Sequence, residues 1–186
     1  MSHNDENNIM ESATTDIRDS IGSIPDYPKP GIIFRDITPL LQNADAFRLT
    51  INTLKQRYAG QGITQIAAVE ARGFIFGSAL AYAMGCGVTL LRKPGKLPGK
   101  VTRQNYELEY GSDELQMHEN ALTENDRVLI VDDLLATGGT VVAASQLIKS
   151  SGADVVEAAF VVSLPELGGE DKLQQAGVAC YTLCQF

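Results

Sequence analysis

The stretch VLIVDDLLATGGT, residues 128–140, is the most informative part of the chain. Its first four residues are apolar and predict a short buried strand. Asp132 and Asp133 follow, and a glycine-rich turn then precedes an apolar run that predicts a helix. Such a turn can direct backbone N–H groups and the positive end of the helix dipole at a phosphate. We therefore predict a phosphate site formed by Ala136, Thr137, Gly138, Gly139 and Thr140.

The two aspartates indicate what else the ligand carries. A carboxylate repels a phosphate, so Asp132 and Asp133 must face a different part of the same molecule. Carboxylates accept hydrogen bonds from vicinal hydroxyls and tolerate a divalent cation. Together these residues predict a 5-phosphorylated ribose as the ligand. The alternative is that the stretch is only a loop followed by a helix cap.

Length and charge limit the classes of protein and partner. The chain has 186 residues, which fits one domain with a sizeable core, and its net charge is −8 at pH 7. A protein that coats nucleic acid or an anionic membrane needs a basic face, so we expect neither as a partner. Residues 1–15 are polar and acidic, and we expect a disordered tail there and a single domain over residues 16–186.

The cysteines favour a cytoplasmic protein. Cys86, Cys180 and Cys184 make an odd count, and only two histidines could join them as metal ligands. We expect reduced thiols rather than a metal cluster or a disulfide framework.

Strands and helices alternate along most of the chain. We predict helices over residues 46–58, 73–84 and 140–150, and strands over residues 66–69, 88–91, 127–131, 155–162 and 179–183. This alternation is typical of an α/β fold with a mostly parallel, twisted sheet flanked by helices, in which ligands bind at the carboxyl ends of the strands. Residues 92–105 predict a mobile loop, and residues 106–110 and 115–117 predict a hairpin.

Two further segments are candidate anion sites. The turn of residues 70–73, EARG, lies between a predicted strand and a predicted helix, where it can form an anion-binding nest. The alternative is an ordinary turn with Arg72 solvated. Arg92, Lys93 and Lys96 form a basic cluster in an acidic protein. A solvated charge run is the usual explanation of such a cluster, but its position after a predicted strand favours a role in the site.

Two other segments could meet a flat base. Residues 30–36, PGIIFRD, can stack an aromatic ring on a base and offer backbone groups to its edge, although they could equally be part of the core. Glu109 lies on the predicted hairpin, where a solvated carboxylate is the usual case. Asp113 and the acidic residues near it look like surface residues and receive no role.

Several of these stretches resemble one known family. Residues 128–140 resemble the phosphoribosyl pyrophosphate motif of type I phosphoribosyltransferases. The adenine-specific members of that family are similar at PDYPKPGIIFRDITPLL (25–41), EARGFIFG (70–77), LRKPGKLPGK (91–100), YELEYG (106–111) and LPELGG (164–169). The resemblance runs from about Ile21 to Phe186. It implies the type I phosphoribosyltransferase fold with a small hood and a flexible loop. The implied reaction transfers a 5-phosphoribosyl group from phosphoribosyl pyrophosphate to adenine, giving AMP and pyrophosphate.

The resemblance also implies roles for individual residues. Asp132 and Asp133 would hold the ribose hydroxyls, and residues 136–140 would bind the 5-phosphate. Glu109 would transfer a proton at the imidazole side of the base, with Tyr110 covering the site. Adenine would meet the backbone of Ile33 and Arg35 and the ring of Phe34. The pyrophosphate would be bound by Glu70, Ala71, Arg72, Arg92, Lys93 and Lys96.

The resemblance implies a homodimer, and Mg²⁺ that arrives with phosphoribosyl pyrophosphate rather than in a dedicated protein site. Two alternatives remain. A regulator that senses phosphoribosyl pyrophosphate usually carries a basic nucleic-acid-binding attachment, which the acidic tail does not offer. A transferase for a 6-oxopurine or for orotate would share the phosphate motif, but the FRD and YELEYG segments favour adenine.

Overall fold

The chain divides into two units, residues 1–57 and residues 58–186. The structure, a computed structural model, describes residues 14–107 and 112–186. In the first unit a helical segment over residues 14–19 (α1) is followed by an antiparallel pair of strands, β1 (Gly22–Pro25) and β2 (Ile33–Asp36). Helices α2 (Thr38–Gln42) and α3 (Ala44–Tyr58) come next. Residues 1–13 of the predicted tail lie outside the described residues, and the single domain over residues 16–186 stays a prediction.

The second unit contains a five-stranded parallel sheet. In chain order its elements are β3 (Gln65–Val69), α4 (Gly73–Met84), β4 (Gly87–Leu91), β5 (Val101–Glu107), β6 (Ser112–His118), β7 (Arg127–Leu135), α5 (Gly139–Lys149), β8 (Asp154–Ser163), α6 (Gly169–Gln175) and β9 (Cys180–Gln185). The sheet has the order β4-β3-β7-β8-β9, and β5 and β6 form a separate antiparallel hairpin. The predicted parallel sheet flanked by helices is therefore confirmed.

Helices cover the sheet on both faces, which explains its apolar strands. Successive residues of a strand point to opposite faces, and Ala67 and Val69 belong to the core that α5 and the hairpin share. Ala68 points the other way, toward α4, where a Cβ added to Gly77 would lie 2.6 Å from the Cβ of Ala68. A strand that is buried on both faces has a continuous run of apolar residues in its sequence rather than an alternation of apolar and polar residues. No helix within residues 14–107 and 112–186 combines the length and the apolar character that crossing a membrane requires.

Two predictions of local structure are wrong. Strand β7 does not end at Val131 but continues to Leu135, because β8 goes on pairing with it as far as Ser163. Residues 101–105, predicted as part of a mobile loop, instead begin β5 and pair with β6 from His118 onward. In both places the pairing partner, which local composition does not reveal, decides the length of the strand.

Candidate active site

The carboxyl end of β7 extends beyond its neighbour β3. Pairing between the two strands ends at Val131, whereas β8 accompanies β7 to Leu135. Helix α4 begins beside this extension: a Cβ on Gly73 would lie 2.8 Å from the carbonyl oxygen of Val131 and 2.9 Å from Oδ1 of Asp132. A glycine at this position therefore lets the turn of residues 70–73 lie directly against the two aspartates.

An ion pair joins this turn to β7. Arg72 Nε donates a hydrogen bond of 2.5 Å to Oδ2 of Asp133. Asp133 is only 4% exposed, whereas about half of the Arg72 side chain remains accessible, at 52%. The structure thus brings together a predicted ribose-binding carboxylate and a predicted pyrophosphate-binding arginine. The peptide bond between Glu70 and Ala71 in this turn is cis.

The two neighbouring aspartates differ in their environments. The backbone N–H of Asp133 donates to Oδ1 of Asp132 at 2.9 Å. Burial and the nearby charge of Asp133 raise the pKa of Asp132 well above its usual range. Hydroxyl donors or a cation would favour the ionised form of such a carboxyl group. Asp132 is therefore suited to a ligand that supplies hydrogen-bond donors or positive charge.

Glu70 organises the basic segment that follows β4. Its carboxylate accepts hydrogen bonds from Arg92 Nε at 3.1 Å, from Arg92 Nη2 at 3.3 Å and from the backbone N–H of Lys93 at 2.9 Å. Burial alone would raise the pKa of Glu70, but the Lys93 N–H and the Arg92 guanidinium lower it below its usual value. Arg92 Nη1 also donates to the carbonyl oxygen of Lys96 at 3.0 Å. The predicted basic cluster is therefore an ordered segment attached to the turn after β3.

The predicted phosphate loop connects β7 to α5. Gly138 precedes the helix with φ of +78°, a left-handed conformation that favours glycine. The loop packs against the start of α6. A Cβ added to Gly138 would lie 2.9 Å from the carbonyl oxygen of Gly169, and a Cβ added to Gly169 would overlap the carbonyl oxygen of Ala136. Thr137 is exposed at the tip of this loop. The loop leads into the first turn of α5, where backbone N–H groups can meet an anion, and the phosphate site stays a prediction.

Sequence reasoning missed Tyr106 and Asp113. These residues are opposite each other in the hairpin, and the Tyr106 hydroxyl donates to Oδ2 of Asp113 at 3.0 Å. Lys93 Nζ donates to both side chains, and Thr140 Oγ1 donates to the Tyr106 hydroxyl at 3.3 Å. A polar chain therefore runs from the basic segment to the phosphate loop. The hairpin register would have revealed it, but the sequence does not show that register.

The residues predicted to bind adenine lie on β2 of the first unit. Ile33 is 51% exposed, and the Phe34 ring meets the Tyr27 ring edge to face with centroids 5.3 Å apart. Arg35 Nη1 donates to Ser23 Oγ at 2.6 Å. The predictions for Glu109 and Tyr110 fall outside the described residues.

Asp132 and Asp133 are the carboxylates of this site that could contact a cation. Within residues 14–107 and 112–186 there is no group of three or more metal-ligating side chains. One or two carboxylates, completed by phosphate oxygens of a substrate, are a typical ligand set for Mg²⁺. The donor set at the end of β7 fits that arrangement.

Comparison with known proteins identifies the family. The sequence matches the phosphoribosyl transferase domain family over residues 38–178. It is 99% identical over 177 residues to an adenine phosphoribosyltransferase of Idiomarina loihiensis, covering 95% of this chain and 100% of that protein. The fold is similar to the crystal structure of adenine phosphoribosyltransferase from Thermoanaerobacter pseudethanolicus, with a TM-score of 0.88, 47% identity, and coverage of 93% of this chain and 99% of that one.

A second solved structure was obtained with a base present. The Saccharomyces cerevisiae adenine phosphoribosyltransferase, complexed with an imino-altritol bisphosphate and adenine, gives a TM-score of 0.87 and 36% identity, covering 94% of this chain and 99% of that one. These matches agree with the parallel sheet flanked by helices. The chain therefore belongs to the phosphoribosyl transferase domain family and, within it, to the adenine phosphoribosyltransferases.

Proposed function

We propose that the residues around the carboxyl end of β7 carry out the reaction of this family. The chain transfers the 5-phosphoribosyl group of phosphoribosyl pyrophosphate to adenine, giving AMP and pyrophosphate. The observation that best supports the assignment of roles is the 2.5 Å ion pair between Arg72 and Asp133. It places the segment assigned to the leaving group beside the carboxylates assigned to the sugar.

The charges of the site match the charges of the reaction. As the bond from C1 of the ribose to pyrophosphate breaks, the sugar becomes cationic and negative charge grows on the leaving oxygen. Arg72 and Arg92 stabilise the leaving charge, and Asp132 and Asp133 hold the ribose hydroxyls beside the cationic carbon. Asp132 and Asp133 are the residues that would contact magnesium bound with the substrate, and the ion would supply further positive charge to the leaving group.

Binding at a distance from C1 positions the reacting carbon. Ala136 to Thr140 hold the 5-phosphate through backbone N–H groups and hydroxyls, which limits the motion of the ribose before reaction. Lys93 and Lys96 add positive charge on the pyrophosphate side. Glu70 and Ala71 are also assigned to pyrophosphate binding. The Glu70 carboxylate accepts hydrogen bonds from Arg92 and from the backbone of Lys93, and so holds both residues in place.

Five residues are assigned to the base and its proton. Ile33, Phe34 and Arg35 bind adenine, Glu109 takes the proton that the attacking nitrogen loses, and Tyr110 covers the site. The exposed aliphatic surface of Ile33 and the aromatic ring of Phe34 support a flat apolar ligand on β2. The adenine complex of the Saccharomyces relative supports the choice of base.

We also propose a cytoplasmic homodimer that uses magnesium. Ile75, Tyr82, Val88 and Leu90 are exposed apolar residues of the second unit, with Tyr82 at 91%, and they offer a surface that a second copy could cover. None of the three cysteines, which all lie within the described residues, forms a disulfide, and this is typical of proteins in a reducing compartment.

Product analysis with competing acceptors tests the function. With phosphoribosyl pyrophosphate and magnesium, adenine should outcompete hypoxanthine, guanine and orotate by orders of magnitude, because a site built around an amino group leaves its buried partners unpaired with an oxo group. The Asp133→Asn variant assayed in parallel shows whether the turnover belongs to this site. Equal turnover of hypoxanthine would contradict the assignment of the base. Binding of phosphoribosyl pyrophosphate without turnover of any base would indicate a regulator instead.

A further inference from the structure

We propose that Tyr106 is a positioning residue that fixes the Lys93 ammonium group for pyrophosphate. The proposal rests on the proposed function, which assigns Lys93 to the leaving group. Tyr106 belongs to the YELEYG stretch but has no assigned role there, and it acts on the ligand only through Lys93.

The phenol oxygen of Tyr106 has a complete set of partners. A phenol has one hydrogen to donate and lone pairs to accept with. The hydrogen goes to Oδ2 of Asp113 at 3.0 Å, and the oxygen accepts from Lys93 Nζ and from Thr140 Oγ1. Because Asp113 takes the hydrogen, the lone pairs face the lysine and the threonine. The lone pair that holds Lys93 is therefore fixed in direction.

The surroundings of Tyr106 make it a rigid support. The residue is 9% exposed and packs in the core with residues of the sheet and α5. Asp113 holds the hydroxyl from the opposite strand of the hairpin, and Thr140 holds it from the first turn of α5. Through these hydrogen bonds Tyr106 connects the Lys93 ammonium group to Thr140 in the phosphate loop.

Lys93 needs such a support because its side chain is long and flexible. An ammonium group has three N–H donors on a stem with several rotatable bonds. Tyr106 and Asp113 accept two of these donors, which leaves the third for an anion. Fixing the ammonium before the ligand arrives reduces the conformational entropy that binding has to remove.

The Tyr106→Phe variant tests the proposal, since it keeps the ring and changes no charge. Calorimetric titration with magnesium pyrophosphate should give a Kd about five- to tenfold higher, within the range expected for the net loss of one hydrogen bond. In steady-state assays KM for phosphoribosyl pyrophosphate should rise while KM for adenine stays within about twofold. Tyr58→Phe is the matched control, because it also removes a phenol hydroxyl that bonds a carboxylate, Glu157 Oε2 at 2.6 Å, and its pyrophosphate Kd should not change.

A double-mutant cycle with Lys93→Met shows whether the effect passes through the lysine. In the Lys93→Met background, Tyr106→Phe should change the pyrophosphate Kd by less than about twofold. Equal effects in both backgrounds, or an unchanged Kd in Tyr106→Phe, would overturn the positioning role. If Lys93→Met itself binds pyrophosphate normally, the assignment of Lys93 in the proposed function falls, and this inference falls with it. If Lys93→Met weakens binding and Tyr106→Phe does not, only the inference falls.

Discussion

Arg72 and Asp133 lie 61 positions apart in the chain, yet their side chains meet at 2.5 Å across the end of β7. One partner is almost fully buried and the other is half exposed. The carboxylate is the buried partner of the pair, while about half of the arginine side chain is accessible. The ion pair therefore connects the turn of residues 70–73 to β7. It lies between the residues assigned to the sugar and the residues assigned to pyrophosphate.

Replacing Asp133 with Asn should abolish most of the activity and leave the fold intact. The amide keeps an oxygen for Arg72 but loses the negative charge that faces the cationic sugar. We expect kcat to fall by about 10²–10³, the range for a preorganised electrostatic contact. Thermal melting beside the activity assay separates catalysis from folding. The control is Asp154→Asn, which removes the charge of an exposed carboxylate paired with Arg127 at 3.0 Å at the opposite end of β7. An unfolded Asp133→Asn variant would indicate a structural role instead.

Two alanine substitutions in α4 should have different consequences. Gly73→Ala places a Cβ against the Val131 carbonyl and Asp132, so it should displace the site and raise KM for phosphoribosyl pyrophosphate. Gly77→Ala meets the Cβ of Ala68 in the core, and it should lower the melting temperature by about 2–4 °C for each kcal/mol lost. The KM of the folded Gly77→Ala enzyme should be normal. Equal KM values in both variants would disprove the special position of Gly73.

Asp132→Asn should stabilise the protein at neutral pH even though it impairs the site. The pKa of Asp132 is higher in the folded chain than in the unfolded chain, where a value of about 3.9 is usual. Such a group disfavours folding above its unfolded pKa, and the penalty is complete once the pH exceeds the folded pKa. Melting curves should therefore show a higher Tm for the variant near neutral pH, and the difference should shrink as the pH falls toward about 4.

Asp113→Asn should destabilise the protein at neutral pH, the opposite of the effect expected for Asp132→Asn. The hydrogen bond from Lys93 lowers the pKa of Asp113 below its usual value, so ionisation of this group favours folding above the unfolded pKa. The variant should melt below the parent protein at neutral pH, and this difference should vanish in acid. The same sign of change in both variants would mean that charge at these positions does not control stability.

Glu109 should contribute to the chemical step rather than to binding. Replacing it with Gln should lower kcat by about 10²–10⁴, the usual contribution of a positioned acid or base, with a smaller rise in KM. Glu109→Gln and Glu109→Leu should be compared at saturating phosphoribosyl pyrophosphate. A change confined to KM for adenine would make Glu109 a binding residue.

The sequence predicted the elements that local pattern controls. Helix α4 has the predicted bounds, and the strand of residues 66–69 gains only Gln65, because an apolar run between turn residues specifies both. The end of β7 was not predictable, because aspartates continue a strand only when a neighbour keeps pairing with them. The short strands β1 and β2 carry no apolar alternation long enough to predict them.

The parts of the candidate site that lie within one continuous segment could be predicted from the sequence. The contacts between distant segments could not. Ala136 to Thr140 form a loop whose proposed phosphate-binding role rests on its own composition. The partnership of Glu70 with Arg92 joins residues 22 positions apart, and that of Tyr106 with Thr140 joins residues 34 positions apart. Both depend on sheet order and hairpin register. Asp113 looked like a solvated acid because its partner, Lys93, comes from outside the hairpin.

The contact between the phosphate loop and the start of α6 has a consequence for local opening. Gly138 and Gly169 approach so closely that neither could carry a side chain without displacing the other segment. The phosphate loop therefore cannot move relative to α5 unless the segment before α6 moves with it. The bonded amides of Val142 and Lys172, which donate to the carbonyl oxygens of Gly138 and Gly168, should therefore exchange with solvent as one cooperative unit.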